Sequence, residues 1–322
     1  MRVAIVGAGI SGLTCARRLR EGGLEVVIFE KSRGLGGRIA SRRVGETVVD
    51  HGTPDLPGDC VAESSAVLAS EAVGMDRPSG RLTTGGFQSE STRASLAFPL
   101  GLTRLAKVMA EGLDIRFGVR VAALRGTAGG FEVGDEQGNT HGSFDAVVVT
   151  APAPQAADLL DRSPDCGDRA AALRRVTYAP CVVVIVGVNL PEPEWWFATI
   201  SDSPLASLAI ESAKGRAPID GVIPVVARLM AEASEALLDS SDEEALAVAL
   251  PEIARLLGER ALAPVWSQVK RWRFAEPTSS LAFDEINPPG CRILVCGDTT
   301  AAGVRGAALS GERAAERLLA AQ

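Results

Sequence analysis

Three glycines and one acid near the start of the chain have the types and spacing that bind a dinucleotide. The glycines are Gly7, Gly9 and Gly12, and the acid is Glu30. In this pattern the first glycine permits a tight turn, the second lets backbone approach a pyrophosphate, and the third lets a helix pack closely on a strand. The acid accepts hydrogen bonds from ribose hydroxyls. Because a carboxylate repels an added 2′-phosphate, the pattern favours FAD or NAD over NADP.

The elements that must position these residues are present around them. A β-branched segment, Arg2 to Val6, precedes the turn, a helix-like run follows it, and a second strand ends at Glu30. Phosphates at such a turn lie against free N–H groups and the positive end of the helix dipole. The segment therefore predicts a strand–helix–strand dinucleotide-binding unit. Its expected cofactor contacts are Gly7, Ala8, Gly9, Ile10, Ser11, Gly12, Glu30 and Lys31.

Two further glycine motifs distinguish FAD from NAD. Gly36-Gly37-Arg38 follows the ribose acid, and it resembles the Gly-Gly-Arg extension of two-domain flavoproteins, which lies along FAD. Gly297-Asp298 follows a predicted buried strand and resembles the carboxyl-terminal FAD motif of the same superfamily. The resemblance implies that Asp298 bonds a ribityl or pyrophosphate-side oxygen. It also implies that the next helix points N–H groups at the flavin N1/O2 edge, where negative charge collects on reduction. The contacts expected on that helix are Val304, Arg305 and Ala308.

Four more patches resemble the renalase-like flavoproteins, a branch of the amine-oxidase-fold superfamily. They are Asp50-His51-Gly52, residues 151–155 (Ala-Pro-Ala-Pro-Gln), residues 176–181 (Val-Thr-Tyr-Ala-Pro-Cys) and residues 271–277 (Arg-Trp-Arg-Phe-Ala-Glu-Pro). The resemblance implies a non-covalent FAD that accepts hydride from misreduced isomers of NAD(P)H and passes the electrons to oxygen. It also implies cofactor contacts at Gly52, Thr53, Val121, Ala151 and Pro152.

This chemistry suits a chain without an evident catalytic base. A dihydropyridine expels hydride with its own ring-nitrogen lone pair, so orientation supplies most of the acceleration. Candidate residues of the substrate pocket are Trp272, His51, Tyr178 and Trp196. Each has a plainer interpretation: the tryptophans as core, His51 as a solvated loop residue and Tyr178 as structural.

Two departures from the resembled family leave the substrate open. Thr53-Pro54-Asp55 stands where relatives continue Ala-Gln, and the expected His-Ala segment is absent around Val226 to Met230. One rival interpretation is a flavin amine oxidase of the same fold. The single tyrosine, and the lack of a lysine that can be placed beside flavin N5, count against it. A second rival is an FAD-binding protein without redox turnover.

Composition bounds the remaining possibilities. The 322 residues are 46% hydrophobic and 23% charged, as in soluble globular proteins, and the net charge of −7 disfavours nucleic acid or an anionic membrane as a partner. No apolar run reaches the ~18 residues of a membrane span. Six scattered cysteines and two histidines predict buried thiols and no metal site. Because a strand is predicted from the first residues, we expect no signal peptide and a cytoplasmic protein. The oligomeric state is left open.

The predicted fold class is α/β, with a Rossmann-type, amine-oxidase-like FAD domain and a mixed α/β substrate domain built on an antiparallel sheet. We predict an FAD domain of residues 1–75, 100–155 and 265–322, and a substrate domain of residues 76–99 and 156–264. Helical spacing predicts helices over 61–73, 102–111, 155–160, 167–173 and 242–257, and a last helix from about Gly303. Predicted strands include 81–88, 181–188, 207–210, 223–230, 265–274 and 292–296.

Overall fold

The computed structural model describes residues 1–58, 70–75, 77–90, 95–163, 166–216 and 218–321. The chain divides into two compact units. Unit 1 comprises Met1–Arg38, Leu105–Tyr178 and Glu276–Gln322, and unit 2 comprises Ile39–Arg104 and Ala179–Ala275. Most of the helix predicted over 61–73 lies outside the described residues.

Unit 1 is built on a five-stranded parallel sheet with strand order β10-β2-β1-β14-β20. The strands are β1 (Arg2–Val6), β2 (Glu25–Glu30), β10 (Asp114–Phe117), β14 (Ala146–Val149) and β20 (Ile293–Val295). The central strands are almost entirely apolar and buried, as expected for a parallel sheet covered on both faces. Unit 1 also contains a three-stranded antiparallel meander. It consists of β11 (Val121–Gly126), β12 (Phe131–Asp135) and β13 (Thr140–Phe144).

Helices cover the unit 1 sheet. They are α1 (Ile10–Glu21), α3 (Ala153–Leu160), α4 (Gly167–Leu173), α7 (Phe283–Ile286) and α8 (Gly303–Leu319), while α2 (Thr103–Ala110) leads into unit 1 along the chain. The last helix, α8, lies directly on α1, since a Cβ built on Gly311 would stand 2.3 Å from the carbonyl oxygen of Ser11. The two ends of the chain are therefore packed together in one unit, as the paired glycine motifs require.

Unit 2 is built on a seven-stranded mixed sheet with strand order β19-β15-β18-β17-β16-β7-β8, in which β16 and β7 are parallel. Its strands are β7 (Ser79–Thr83), β8 (Gly86–Ser89), β15 (Tyr178–Val188), β16 (Phe197–Ile200), β17 (Leu205–Ile210), β18 (Ile223–Leu229) and β19 (Trp266–Pro277). Helices α5 (Ala231–Leu237) and α6 (Asp242–Leu257) follow β18. Ser241 and Glu244 form a capping box that starts α6 where its spacing predicts.

Small sheets complete unit 2. Strand β3 (Ser41–Val44) forms a hairpin with β4 (Thr47–Asp50), and β5 (Leu56–Pro57), β6 (Val73–Gly74) and β9 (Ser95–Ala97) form a three-stranded sheet. The single strand predicted over 81–88 is wrong in one respect. The chain turns at Thr84-Gly85, so this stretch is a hairpin of β7 and β8.

The bounds of the two units differ from the predicted domain boundaries at 75, 100, 155 and 265. Residues 39–75 belong to unit 2, and the β4 residue Asp50 forms buried ion pairs with Lys214 and Arg216 of the later segment of that unit. Helices α3 and α4, placed by prediction partly in the substrate domain, pack within unit 1. That one domain binds the cofactor and the other binds the substrate stays a prediction. The predicted α/β fold class is confirmed by the two sheets.

Candidate active site

The three glycines of the turn after β1 have different structural roles. Gly7 has φ +112°, and a Cβ there would stand 2.4 Å from Oγ1 of Thr150. A Cβ on Gly12 would stand 2.1 Å from the carbonyl oxygen of Gly7. Gly9 differs, because its φ of −80° and ψ of 179° suit any residue and a Cβ there would meet no described atom within 4 Å. The protein needs Gly7 and Gly12 for its own packing, whereas Gly9 leaves room beside the backbone for a ligand.

The amino end of α1 is suited to an anion. The N–H groups of the first turn have no intrahelical partners, and Gly9 at the N-cap has no side chain that could satisfy them. The first turn, Ile10 to Leu13, contains no acid, so the positive end of the helix dipole is not neutralised there. This cradle fits the pyrophosphate of a dinucleotide.

Glu30, the last residue of β2, contacts the glycine turn. Its side chain is buried, and Oε2 accepts the Ala8 N–H at 2.9 Å while Oε1 accepts the Ser32 N–H at 2.8 Å. A carboxylate has about four acceptor positions, so two remain for ribose hydroxyls. The neighbouring Lys31 donates to Oε1 of Gln155 at 2.8 Å.

The second glycine loop lies against the first. The Gly36 N–H donates to the carbonyl of Ala8 at 3.0 Å, and a Cβ on Gly37 would stand 3.6 Å from the Cα of Gly9. Arg38, at the end of this loop, forms an ion pair with Asp298. The sequence motifs at residues 7–12, 36–38 and 297–298 therefore meet within unit 1, and the Arg38–Asp298 ion pair joins two of them.

Tyr178 completes this polar group. Its hydroxyl donates to Oδ1 of Asp298 at 3.2 Å and accepts the Ala153 N–H at 3.1 Å. Burial and the charge of Asp298 raise the pKa of Tyr178, so the phenol stays protonated. Burial would lower the pKa of Arg38, but the hydrogen bond and charge of Asp298 outweigh it and raise that pKa. Tyr178, predicted as a candidate pocket residue, thus supports the cradle through its hydrogen bond to Asp298.

The carboxyl-terminal motif supplies a second helix start. Gly297 has φ +120°, a conformation that favours glycine, and its N–H donates to Oγ of Ser310 at 2.5 Å. Helix α8 begins at Gly303 as predicted, and Ala302 at its N-cap has no side chain that can cap it. The first turn carries Val304 and Arg305 and no acid. The N–H groups of a helix's first turn have no partner within the helix, and here they fit the N1/O2 edge of a flavin.

In unit 2, His51 and Trp272 form a stacked pair. Their ring centroids are 5.6 Å apart at an interplanar angle of 20°, and Nε1 of Trp272 donates to the carbonyl of His51 at 2.8 Å. Nζ of Lys270 lies 5.1 Å from the centroid of the Trp272 ring, within cation–π range. Nη2 of Arg228 donates to the carbonyl of Gly52 at 2.6 Å. The sequence pattern did not identify Lys270 or Arg228 as neighbours of this pair.

His51 is held neutral. Burial and the charges of Lys270 and Arg42 lower its pKa to about 4, although Asp50 acts in the opposite direction. At neutral pH the imidazole is therefore uncharged, and it can stack or accept a hydrogen bond without serving as a cation. The expectation of a solvated loop histidine is wrong, since the side chain is only 8% exposed.

Asp50, the residue directly before His51, belongs to a buried cluster of four charged residues. Asp50 pairs with Lys214 and Arg216 at 3.2 and 2.7 Å, and Glu211 pairs with Lys214 at 2.6 Å and with Arg216. The side chains of Asp50, Glu211 and Lys214 have no solvent exposure. Two acids and two bases balance, so the cluster is electrically neutral while it holds the strand that leads to His51. The sequence pattern did not identify the partners of Lys214 and Arg216.

Acid should destabilise unit 2 through this cluster. Burial would raise the pKa of Asp50, but Lys214 and Arg216 lower it to about 2. A pKa that is lower in the folded state contributes stability above the unfolded value of about 4, and that stability is lost as the pH falls through the folded value. We expect the free energy of unfolding of the wild type to fall between pH about 4 and about 2. Urea titrations over this range should show a shallower slope for Asp50→Asn, and an identical slope would contradict the assignment.

The remaining predicted residues are distributed as follows. Oγ1 of Thr53 donates to the carbonyl of Asp55 at 3.1 Å, and Trp196 is only 4% exposed. Val121 begins β11, and Ala151 and Pro152 lie between β14 and α3, where Pro152 is the N-cap. Burial of Trp196 favours packing over substrate contact. Contacts of the other residues with a cofactor stay predictions.

The described residues contain no helix long and apolar enough to cross a membrane. Within the same residues, no group of three His, Cys, Asp or Glu side chains is placed to hold a metal ion.

The chain matches known protein families and has the fold of known oxidases. Residues 82–319 match the family described as flavin containing amine oxidoreductase, and residues 5–58 match an NAD(P)-binding Rossmann-like domain. The fold is similar to wild-type putrescine oxidase bound to putrescine, with a TM-score of 0.79, 17% identity and 99% coverage of both chains. It is also similar to cyclohexylamine oxidase from Brevibacterium oxydans IH-35A, with a TM-score of 0.78, 13% identity and 99% coverage of both chains. At these identities the likeness shows the fold, and it confirms the amine-oxidase-like architecture.

A curated sequence relative matches a short stretch only. "Possible lysine-specific histone demethylase 1" of Drosophila melanogaster is 35% identical over 75 residues, which is 23% of this chain and 8% of the relative. The chain therefore spans a small part of that protein's length, and the match carries no substrate information.

Proposed function

This chain belongs to the flavin-containing amine oxidoreductase family, and from that premise we propose that it oxidises reduced nicotinamide-type substrates, as renalase-like enzymes do. Its cofactor is FAD and it is an oxidoreductase. When bound, FAD would supply a two-electron acceptor that oxygen can reoxidise, so that overall a dihydropyridine, oxygen and a proton would become a pyridinium and hydrogen peroxide. We further propose that FAD is held without a covalent bond. The substrate would be one of the 2- or 6-dihydro isomers of NAD(P)H.

The residues of unit 1 fit this cofactor. The space beside Gly9 and the uncapped start of α1 would receive the pyrophosphate, and the spare acceptor positions of Glu30 would receive the ribose. Arg38 and Asp298 would hold the ribityl or pyrophosphate oxygens, and the start of α8 would face the flavin N1/O2 edge. None of these groups needs to transfer a proton.

One observation carries the choice of substrate: more cations than acids act on the stacked His51–Trp272 pair. The imidazole is neutral, the indole is flat, and the cations Lys270, Arg42 and Arg228 outnumber Asp50, the one acid of the described residues whose charge acts on His51. An ammonium substrate would be repelled there, whereas a flat dihydropyridine can stack and its nucleotide phosphates are attracted. We propose that this pair orients the dihydropyridine ring.

The alternative is a flavin amine oxidase. The family description and the names of the putrescine and cyclohexylamine oxidases favour it. Against it, Tyr178 is the one tyrosine of the chain, so a cage of two tyrosines cannot form.

Anaerobic flavin reduction separates the two functions. We expect the flavin absorbance to fall faster with 2- or 6-dihydro isomers of NAD(P)H than with 4-dihydro NADH or with putrescine. The isomers carry their hydride at different ring carbons, and a misplacement of an ångström costs on the order of a hundredfold. Stopped-flow absorbance, followed by a peroxide assay after oxygen is admitted, measures this preference.

Rapid reduction by putrescine with none by the isomers would establish the amine oxidase instead. Dithionite provides the control for a reducible flavin. If dithionite alone bleached the protein, a non-catalytic role would replace both proposals.

Glu30→Ala should weaken FAD binding by at least about tenfold, because hydrogen bonds to a charged group contribute about 1.5–3 kcal/mol each. Apoprotein titrated with FAD and followed by flavin fluorescence gives the dissociation constant. Glu25→Ala is the matched control, since Glu25 is an exposed acid on the same strand that pairs with Arg2. Equal affinities for the two variants would mean that Glu30 does not contact the ribose.

A further inference from the structure

Three cations lie near the stacked His51–Trp272 pair of unit 2, although the protein as a whole carries a negative net charge. The protein carries a net charge of −7, yet Arg42, Lys270 and Arg228 all act on His51 to disfavour its protonated form. We call these three residues the cation group. A local excess of positive charge in an acidic protein is costly unless an anion compensates it.

No member of the cation group forms an ion pair with an acid among the described residues, although the charges of Glu211, Asp50 and Asp55 act on the buried Arg228. Nη1 of Arg42 donates to the neutral Oε1 of Gln268 at 2.7 Å, and Arg228 donates to the carbonyl of Gly52. The next arginines on β19 behave differently, since Arg271 pairs with Asp242 and Arg273 pairs with Asp239. On one face of β19, Arg271 and Arg273 therefore pair with acids. On the other face, Lys270 forms no ion pair with an acid among the described residues.

Side chains alternate between the two faces of β19, and this alternation places Lys270 on the same face as Trp272, beside the stacked pair. Gln268, Lys270 and Trp272 are two residues apart and so share one face of the strand. The hydrogen bond from Arg42 to Gln268 brings the guanidinium of β3 to that face. Lys270 remains partly exposed and Arg42 is exposed, so both can reach a ligand.

Arg228 adds a buried donor that is not satisfied. Its Nη1 atom is buried and makes no hydrogen bond within the part of the chain that the structure describes. The other terminal nitrogen, Nη2, donates to the carbonyl of Gly52. A buried unpaired donor in a charged group is rare in native proteins and indicates an ion or ligand that completes it.

We propose that the cation group is an anion subsite, in which Lys270 and Arg42 bind the phosphate of a nicotinamide nucleotide whose ring stacks on the His51–Trp272 pair. Arg228, which donates to the carbonyl of Gly52, supplies further positive charge near the pair. This inference rests on the proposed function, because it defines the substrate class of the same site. The enzyme then selects phosphorylated dihydronicotinamide nucleotides over neutral dihydronicotinamides.

The test uses two substrates that differ only in the 5′-phosphate. The FAD-loaded enzyme is assayed at low ionic strength with the 2- and 6-dihydro isomers of nicotinamide mononucleotide, and then with those of nicotinamide riboside. We expect a half-saturating concentration at least about tenfold lower for the mononucleotide, since charge-assisted hydrogen bonds to phosphate are lost with the riboside. Added salt should reduce the difference.

Lys270→Gln combined with Arg42→Gln should bring the ratio toward one, because it should weaken binding of the mononucleotide more than binding of the riboside. Arg43→Gln and Arg273→Gln are matched controls that remove neighbouring charges of β3 and β19, and they should preserve the ratio. Riboside kinetics report whether the variants remain folded and flavin-loaded.

Equilibrium binding tests the subsite independently of turnover. Calorimetric titration with oxidised nicotinamide mononucleotide and riboside should show the same phosphate preference and the same loss in the double variant. Equal binding of the two ligands overturns the subsite, while flavin reduction by the isomers would leave the proposed function standing. Reduction by amines alone overturns the proposed function, and the titration then decides the subsite by itself. Loss of FAD from the double variant would assign these cations to the cofactor and overturn the proposal.

Discussion

Replacing Gly9 with alanine should abolish FAD retention while the apoprotein keeps its stability. The backbone of Gly9 already has angles that alanine adopts, and the added Cβ would meet no described atom within 4 Å. The methyl group instead enters the space that the pyrophosphate would occupy beside the backbone. Loss of two hydrogen bonds to phosphate would cost about 3 kcal/mol or more, which is at least about a hundredfold in affinity. FAD titration and thermal melting of the apoprotein measure the two effects.

Two other glycines serve as controls for this prediction. A Cβ on Gly12 would stand 2.1 Å from the carbonyl oxygen of Gly7, so Gly12→Ala should destabilise the apoprotein itself. Gly129 lies away from the cradle, and a Cβ there would meet no described atom within 4 Å. Gly129→Ala should change neither stability nor FAD binding. If Gly9→Ala bound FAD normally, the cofactor would not approach this turn.

Lys214→Met should destabilise the protein by about 3–5 kcal/mol, because removal of one partner leaves buried charge uncompensated. Asp50 and Glu211 would then share Arg216 alone. Neither carboxylate has solvent exposure that could replace the lost ammonium. Urea unfolding of wild type and variant at neutral pH gives the difference in free energy.

The exposed Lys107 of α2 provides the comparison, and Lys107→Met should change the stability by no more than about 0.5 kcal/mol. We also expect Lys214→Met to reduce flavin turnover, because Asp50 directly precedes His51. A loss of stability below about 1 kcal/mol would contradict the view that this cluster is a buried ion-pair network.

Local patterns in the sequence were sufficient for the cofactor-binding turn and for most regular elements. The turn at Gly7 to Gly12, the helix after it and the strand ending at Glu30 all lie within thirty consecutive residues. Their signals are backbone requirements and hydrophobic periodicity, which neighbouring residues express directly. The start of α8 at Gly303 and the span of α6 were predictable for the same reason. Strand β16 and helix α5 were missed, since a four-residue strand and a seven-residue helix have weak periodicity.

Pairings between distant residues were not predictable. Arg38 and Asp298 were each expected near FAD, but the sequence contains no sign that they bind each other across 260 positions. Residues 39–75 belong to unit 2, where Asp50 forms an ion pair with Lys214 that the sequence does not indicate. A charge pattern shows which residues carry charge, whereas the fold decides which of them are buried together.

The sequence by itself therefore determined the fold class and a dinucleotide-binding turn, because glycine spacing and strand–helix alternation are local properties, and its resemblance to flavoproteins gave FAD as the cofactor. The residues that contact FAD stay predictions. Only the tertiary structure decided the state of the candidate substrate site. His51 is neutral because β19 brings Lys270 and Trp272 against it and burial removes its water. Tyr178 supports the cradle because Asp298 and Ala153 meet at its hydroxyl. Protonation and contact depend on distance through space, and that distance exists only once the chain has folded.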